Sequence, residues 1–181
     1  MSENSNTSIP QDEGDVKYLI NKSFPNISLP NQEGNFLRLY REDTFRMVLY
    51  FFPMTGRPDR PLPDNWNSIP GAKGCTIETC SFRDNYDQII SLNAVPIGIS
   101  TQTVDYNKEM TSRLAVPYDV LSDEKLELRN ALNLPIFSIN NKNYLKRITL
   151  IIENNIIKKV FYPIYLIDKH IEEVLKWLQK N

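Results

Sequence analysis

Two cysteines, Cys75 and Cys80, stand five residues apart in the stretch IPGAKGCTIETCSFRD. A thiolate can attack an electrophile, hold a metal or enter a disulfide, so its acidity decides its chemistry. Apolar residues at Ile77, Phe82, Tyr86, Ile89, Ile90 and Leu92 follow mostly helical spacing, which predicts a helix over 75–92. Cys75 would open that helix behind Gly74, where unpaired amide N–H groups favour an anionic sulfur. The dipole effect is about 0.3–1 kcal/mol, rising to about 2 in favourable geometry. It therefore lowers a thiol from about 8.5 by roughly one unit, and full ionisation at neutral pH needs a second positive group. On one helix the two Cα atoms would lie about 8.6 Å apart, with side chains about 140° apart around the axis. A disulfide needs less than about 7 Å. Bonding the pair would thus require the helix to unwind, giving a wound reduced state and a locally unfolded oxidised one. Spacing alone is weak evidence: such a pair is commonly two inert, unrelated thiols, and the redox pattern CxxC is absent.

The elements that must position these thiols can be read in order. Residues 1–15 are polar and acidic and are expected to form a disordered tail, leaving 16–181 as one domain. Extended pieces are expected at Phe24–Leu29 and Phe36–Arg38, around a turn at PNQEGN. The apolar run FRMVLYFFP, 45–53, suits a strand covered on both faces. Met54–Gly74 holds Pro58, Pro61, Pro63 and Pro70 and reads as a long loop of functional type. Beyond the cysteine helix, strands are expected at Val95–Ser100 and Tyr118–Leu121. Helices are expected at Val104–Leu114 and Asp123–Leu132, the latter capped by Ser122 or Asp123. Asn140–Asn143 reads as a polar turn. Arg147–Glu153 and Ile156–Phe161 form a hairpin through Asn154–Asn155, and Ile167–Gln179 is an amphipathic helix. Alternation ending in an antiparallel pair implies a mixed central sheet flanked by helices, and a thioredoxin-like α/β fold fits that order.

The cysteine stretch resembles peroxiredoxins of the AhpC/TSA family, in particular the bacterioferritin-comigratory-protein or peroxiredoxin Q group. There, a strand ending in Tyr-Pro or Phe-Pro leads to Gly-Cys-Thr-x-x-x-Cys-x-Phe-Arg-Asp. The matching residues are Phe52-Pro53, Gly74, Cys75, Thr76, Cys80, Phe82, Arg83 and Asp84. The likeness continues through Asn133-Leu134-Pro135, RITLII at 147–152 and the final helix, covering about residues 22 to 180. The resemblance implies that Cys75 attacks a peroxide and becomes a sulfenic acid, and that Cys80 resolves it as an intrahelical disulfide. It implies thioredoxin or a similar dithiol as reductant, no cofactor, and a monomer or homodimer. Arg147 matches the family's arginine and would be the second cation, suited to this by permanent charge and fixed donors. Glu78 matches an acidic position that orients an arginine, although an exposed first-turn glutamate is an equal alternative. Arg83 is either a further cation at the site or half of a surface ion pair.

The chain departs from the pattern Pro-x-x-x-Thr-x-x-Cys at Ala72, where the threonine is expected, and by about fifteen residues inserted between Pro53 and Cys75. Thr55 or Thr76 are the candidates to supply the missing hydroxyl. A similar insertion, TGRP…W…IPGA-x-GCT, resembles that of a subset of peroxiredoxin-like proteins. The departure keeps open an alternative from another class, a peroxide-responsive thiol-switch protein on the same fold.

Composition fits these readings without choosing between them. Twenty-one basic and 22 acidic residues give no electrostatic reason to expect nucleic acid or a membrane surface. No apolar run reaches the roughly 20 residues of a membrane helix, and the start lacks secretory features, so a cytoplasmic protein is expected. His170, the only histidine, is expected on the surface, with no metal site. Trp66 is expected to pack within its loop and Trp177 in the core.

Overall fold

The architecture grows from one strand. In the computed structural model, which describes residues 16–43 and 45–181, β3 (Arg46–Phe51) is buried along its whole length. The expected tail, 1–15, lies outside the described residues. Alternate β3 residues serve two cores: Met47, Leu49 and Phe51 face one, Val48 and Tyr50 the other, joined by Phe52. Covering both faces is what an apolar run without alternation demands.

Around β3 a five-stranded sheet forms in the order β5 (Val120–Ser122), β4 (Ala94–Ser100), β3, β8 (Ile148–Glu153) and β9 (Ile156–Phe161). β3 runs parallel to β4, which runs parallel to β5. β8 and β9 are antiparallel to their neighbours. One face packs on the 3₁₀ turn Lys17–Leu19, β1 (Ser28–Pro30) and α4 (Glu127–Leu132). The other packs on α1 (Cys75–Asp84), α2 (Tyr86–Ser91), α3 (Val104–Leu114) and α5 (Ile167–Lys180). This is the expected mixed sheet between helical layers. β2 (Phe36–Arg38) pairs with β1 at the margin.

Several details depart from the sequence reading. The helix expected over 75–92 divides at Asn85, whose side-chain amide donates to the Ser81 carbonyl and closes α1. The helix expected from Asp123 begins at Glu127 instead. The Asp123 carboxylate still accepts from the Leu128 and Arg129 amides, capping from a distance in sequence. The polar turn at Asn140 belongs to an unforeseen hairpin, β6 (Ile136–Ile139) and β7 (Lys142–Leu145). That hairpin supports the long loop: Trp66 lies 5.0 Å from the Tyr144 ring and 5.8 Å from that of Phe137, with Met54 and Ala72 completing a third small core. The insertion is thus packed over the start of α1, with one 3₁₀ turn at Trp66–Ser68. Trp177 is half-buried at the edge of its core rather than within it. Among the described residues, no helix is long and apolar enough to cross a membrane.

Candidate active site

The chain leaves β3 through Phe52 and Pro53, crosses the inserted loop and returns to start α1 at Cys75. Gly74 makes the return possible: its φ of +95° is left-handed, and a Cβ there would collide with Ile167 of α5. Cys75 is 2% exposed. Arg147, the residue before β8, reaches the sulfur from the opposite side. Its Nη2 donates to Cys75 Sγ at 3.2 Å, to the Lys73 carbonyl at 2.9 Å and to the Gly71 carbonyl at 3.3 Å. Its Nη1 forms a charge-assisted bond to Glu78 Oε2. Glu78 is 1% exposed, so it is a buried partner of the arginine and not an exposed first-turn glutamate. One guanidinium therefore ties together the loop end, the first thiol and the first turn of α1.

Desolvation, the arginine and the glutamate compete over the charge on the sulfur. Burial pushes the Cys75 thiol up, against the downward pull of Arg147 and of the Met54 N–H bonded to the sulfur; Glu78 pushes it up further. The expectation that helix start and arginine together lower this thiol is therefore not met in the closed, resting site. The reason is local: burial strips the sulfur of the solvation an anion needs, and the Glu78 carboxylate offsets part of the guanidinium charge. Consistent with a protonated resting thiol, Sγ donates to the Ala72 carbonyl at 3.6 Å. Burial also pushes Glu78 up to about 7, against the opposing pull of Arg147. Its Oε1 and the Arg147 Nε have no partner among the described residues.

A recess of about 230 Å³ opens onto Cys75, walled by Met54, Leu62, Trp66, Ala72, Thr76 and Ile77. Of the two hydroxyls expected to replace the missing threonine, Thr76 lines this recess. Thr55 does not; it is buried, and its carbonyl accepts from Tyr106. A larger cavity of about 470 Å³ lies beyond Met54, between Arg60, Tyr106, Lys142 and Tyr144, and borders neither cysteine.

Cys80 is half-buried on α1, and both cysteines are free thiols in one wound helix. Arg83 does not turn toward Cys75. Its Nε donates to Asp84 at 2.8 Å and its Nη1 to the Leu114 carbonyl at 2.7 Å, because eight residues of helix carry it away from the first turn. It is the surface ion pair of the two readings, and among the described residues it lies close enough to Cys80 to interact electrostatically.

His170 corrects a sequence expectation outright. It is 2% exposed, and its Nε2 lies 2.8 Å from Thr149 Oγ1. It shares the apolar face of α5 with Ile171, Val174 and Leu178, so the signal for its burial was in the spacing. Burial, then Arg147, pushes it down to about 4 from an ordinary 6.5. A histidine with a depressed folded-state value stabilises above its unfolded value and loses that contribution as pH falls through the folded one. Stability should thus decline on acidification from pH 6.5 toward 4, by about 3 kcal/mol at full loss. Glu78, raised from 4.5 to about 7, acts with the opposite slope, its contribution fading as pH rises over that range. Urea midpoints from pH 4 to 7 for wild type and His170→Gln separate the two, and an acid limb unchanged in the variant would refute the assignment to His170.

Comparison with known proteins shows the family. The family model described as AhpC/TSA matches residues 67–160, just over half of the chain. The chain is 28% identical over 159 residues to the chloroplastic peroxiredoxin Q of Arabidopsis thaliana, covering 86% of this chain and 64% of that protein. It is 29% identical over 162 residues to the chloroplastic peroxiredoxin Q of Populus jackii, covering 86% and 65%. The chain thus spans slightly less than two thirds of these relatives' length. Peroxidoxin BcpB from Mycobacterium tuberculosis superposes with a TM-score of 0.74 at 24% identity, over 89% of this chain and 96% of that one. A cysteine-to-serine mutant of PrxQ from Xylella fastidiosa gives 0.73 at 20%, over 89% and 95%. These structures share the thioredoxin-like fold described above. By the match over 67–160, which takes in the cysteine helix, β4, β5 and nearly all of the β8–β9 hairpin, the chain belongs to the AhpC/TSA family.

Proposed function

We propose that this protein is a thiol peroxidase in which Cys75 attacks a hydroperoxide. The observation that carries the reading is Arg147 Nη2 at 3.2 Å from a sulfur that opens a helix beneath a recess. The Cys75 thiol first ionises beside the Arg147 guanidinium. The thiolate attacks one peroxide oxygen, the O–O bond breaks, and the other oxygen takes up the proton the thiol released and departs as water or an alcohol. Sulfur is left as a sulfenic acid. The Arg147 guanidinium and the amides at the start of α1 stabilise the departing oxygen, whose charge develops only in the transition state. Cys80 then attacks the sulfenic sulfur, an S–S bond forms and water leaves. A dithiol such as thioredoxin returns both thiols by exchange.

Mass spectrometry after one equivalent of hydrogen peroxide tests this: a Cys75–Cys80 disulfide should appear, with loss of two hydrogens. In Cys80→Ser the first oxidation should persist while thioredoxin-coupled turnover falls at least about tenfold. Undiminished turnover in that variant would remove Cys80 from the cycle.

One observation favours a second reading. Ala72 places a buried methyl group where the family pattern has a hydroxyl, which suits slow peroxide chemistry and a thiol switch that signals by its disulfide. A small second-order rate constant with peroxide, together with partner binding that depends on oxidation, would support that reading over turnover.

A further inference from the structure

Helix α1 is fastened at two separate places, and the cysteines fall on different sides of the division. The first turn is held by Arg147, through Cys75 and Glu78. The second half is held by the segment that leaves α3. There the Arg83 Nη1 donates to the Leu114 carbonyl at 2.7 Å, and the Tyr118 hydroxyl donates to the Thr79 carbonyl at 2.9 Å. The Tyr118 bond is buried, next to Cys80 in the chain. Tyr50 braces it from the sheet: its hydroxyl donates to Thr79 Oγ1 at 3.3 Å and lies 3.1 Å from that of Tyr118. Gly98 on β4 leaves room for this, since a Cβ there would stand 2.7 Å from the Tyr50 hydroxyl.

We propose that Tyr118 is a positioning residue that latches the second half of α1 in its wound form and thereby limits how fast Cys80 reaches oxidised Cys75. The proposal rests on the peroxidase reading above. Thr79 lies between the cysteines, so its carbonyl must move when the helix unwinds for the disulfide. Unwinding withdraws both Thr79 acceptors from two phenols that have little access to water. One phenol can then donate to the other, but the second is left a buried donor without a partner, and this opposes the opening. Burial pushes both phenols well up from their ordinary value, so each keeps the proton it donates. In the wound state the Thr79 carbonyl keeps its place in the helix's own ladder, so the tyrosine bond adds to an already satisfied group. The latch therefore acts on resolution, in which Cys80–SH and Cys75–SOH give S–S and water. It leaves the peroxide step, at the Arg147 end, alone.

Tyr118→Phe tests this with little loss of packing, since the ring keeps its stacking on Tyr86 and its edge contact with Tyr50, both at 6.1 Å between centroids. Stopped-flow peroxide oxidation of Cys75 should match wild type within about twofold, whereas disulfide formation should accelerate about three- to tenfold, the factor set by one buried neutral hydrogen bond. The fraction over-oxidised to sulfinic acid at fixed peroxide should fall by the same factor, an effect that general destabilisation would not produce. Arg83→Lys keeps the charge beside Cys80 but loses the Nη1 bond to the Leu114 carbonyl, and should accelerate resolution about two- to threefold even if Tyr118→Phe folds poorly. Unchanged or slower disulfide formation in these variants would overturn the latch alone. A wild-type protein that forms no Cys75–Cys80 disulfide would overturn it together with the reading on which it rests.

Discussion

Cys75→Ser should abolish peroxide consumption, a loss on the order of 10⁴-fold or more, as removal of a nucleophile commonly causes. A serine hydroxyl at this position cannot become the anion that a thiol becomes, and its oxygen cannot be oxidised to a sulfenic acid. The variant should nevertheless fold. Every partner of the sulfur suits a hydroxyl: Arg147 Nη2 and the Met54 amide donate to it, and the Ala72 carbonyl accepts from it. Its melting temperature should therefore stay within a few degrees of wild type. Loss of activity with the fold intact would assign the chemistry to this atom. Peroxide turnover that persisted in a folded Cys75→Ser protein would end the peroxidase reading.

The sequence revealed the site more fully than its surroundings. The spacing of Ile77, Phe82 and Ile89 placed Cys75 at a helix start, and the unbroken apolar run through β3 required two covered faces; both features are local. Arg147 was legible only by resemblance, because 72 residues of chain separate it from the sulfur and no periodicity links them. The burial of Glu78 could not be read from a first-turn position that also suits a solvated carboxylate. It depends on Arg147 arriving from β8. The hairpin β6–β7 was hidden because two four-residue strands are too short to show alternation, although Trp66 needs it as a platform. The upward shift of the Cys75 thiol was hidden for a related reason. Helix dipole and cation can be counted from sequence, but the desolvation that outweighs them depends on how tightly the insertion packs.

That balance makes Arg147 the position where removal of one side chain should do most damage besides Cys75. Arg147→Gln takes the positive charge from beside the sulfur, so the rate of Cys75 oxidation near neutral pH should fall about 10²–10³-fold, the usual effect of losing one preorganised donor to a developing anion. It also leaves Glu78 buried without its ion partner, and breaking such a pair costs about 3–5 kcal/mol. The carboxyl relieves part of that by holding a proton. Already pushed up to about 7 with the arginine present, it should remain protonated to higher pH without it. The sign follows: with its folded value raised, the glutamate's contribution is complete below its unfolded value and disappears as pH climbs through the folded one. The stability deficit of Arg147→Gln should hence widen from pH 5 to pH 8. Adding Glu78→Gln removes the stranded charge, so the double variant should regain most of the stability at pH 8 while its peroxide rate stays low. Chemical denaturation at pH 5 and 8 with stopped-flow oxidation on the same three proteins resolves the two roles. A double variant that recovered rate along with stability would show that Arg147 serves the fold and not the sulfur, since only an arginine acting on the transition state leaves a kinetic defect once the buried charge is gone.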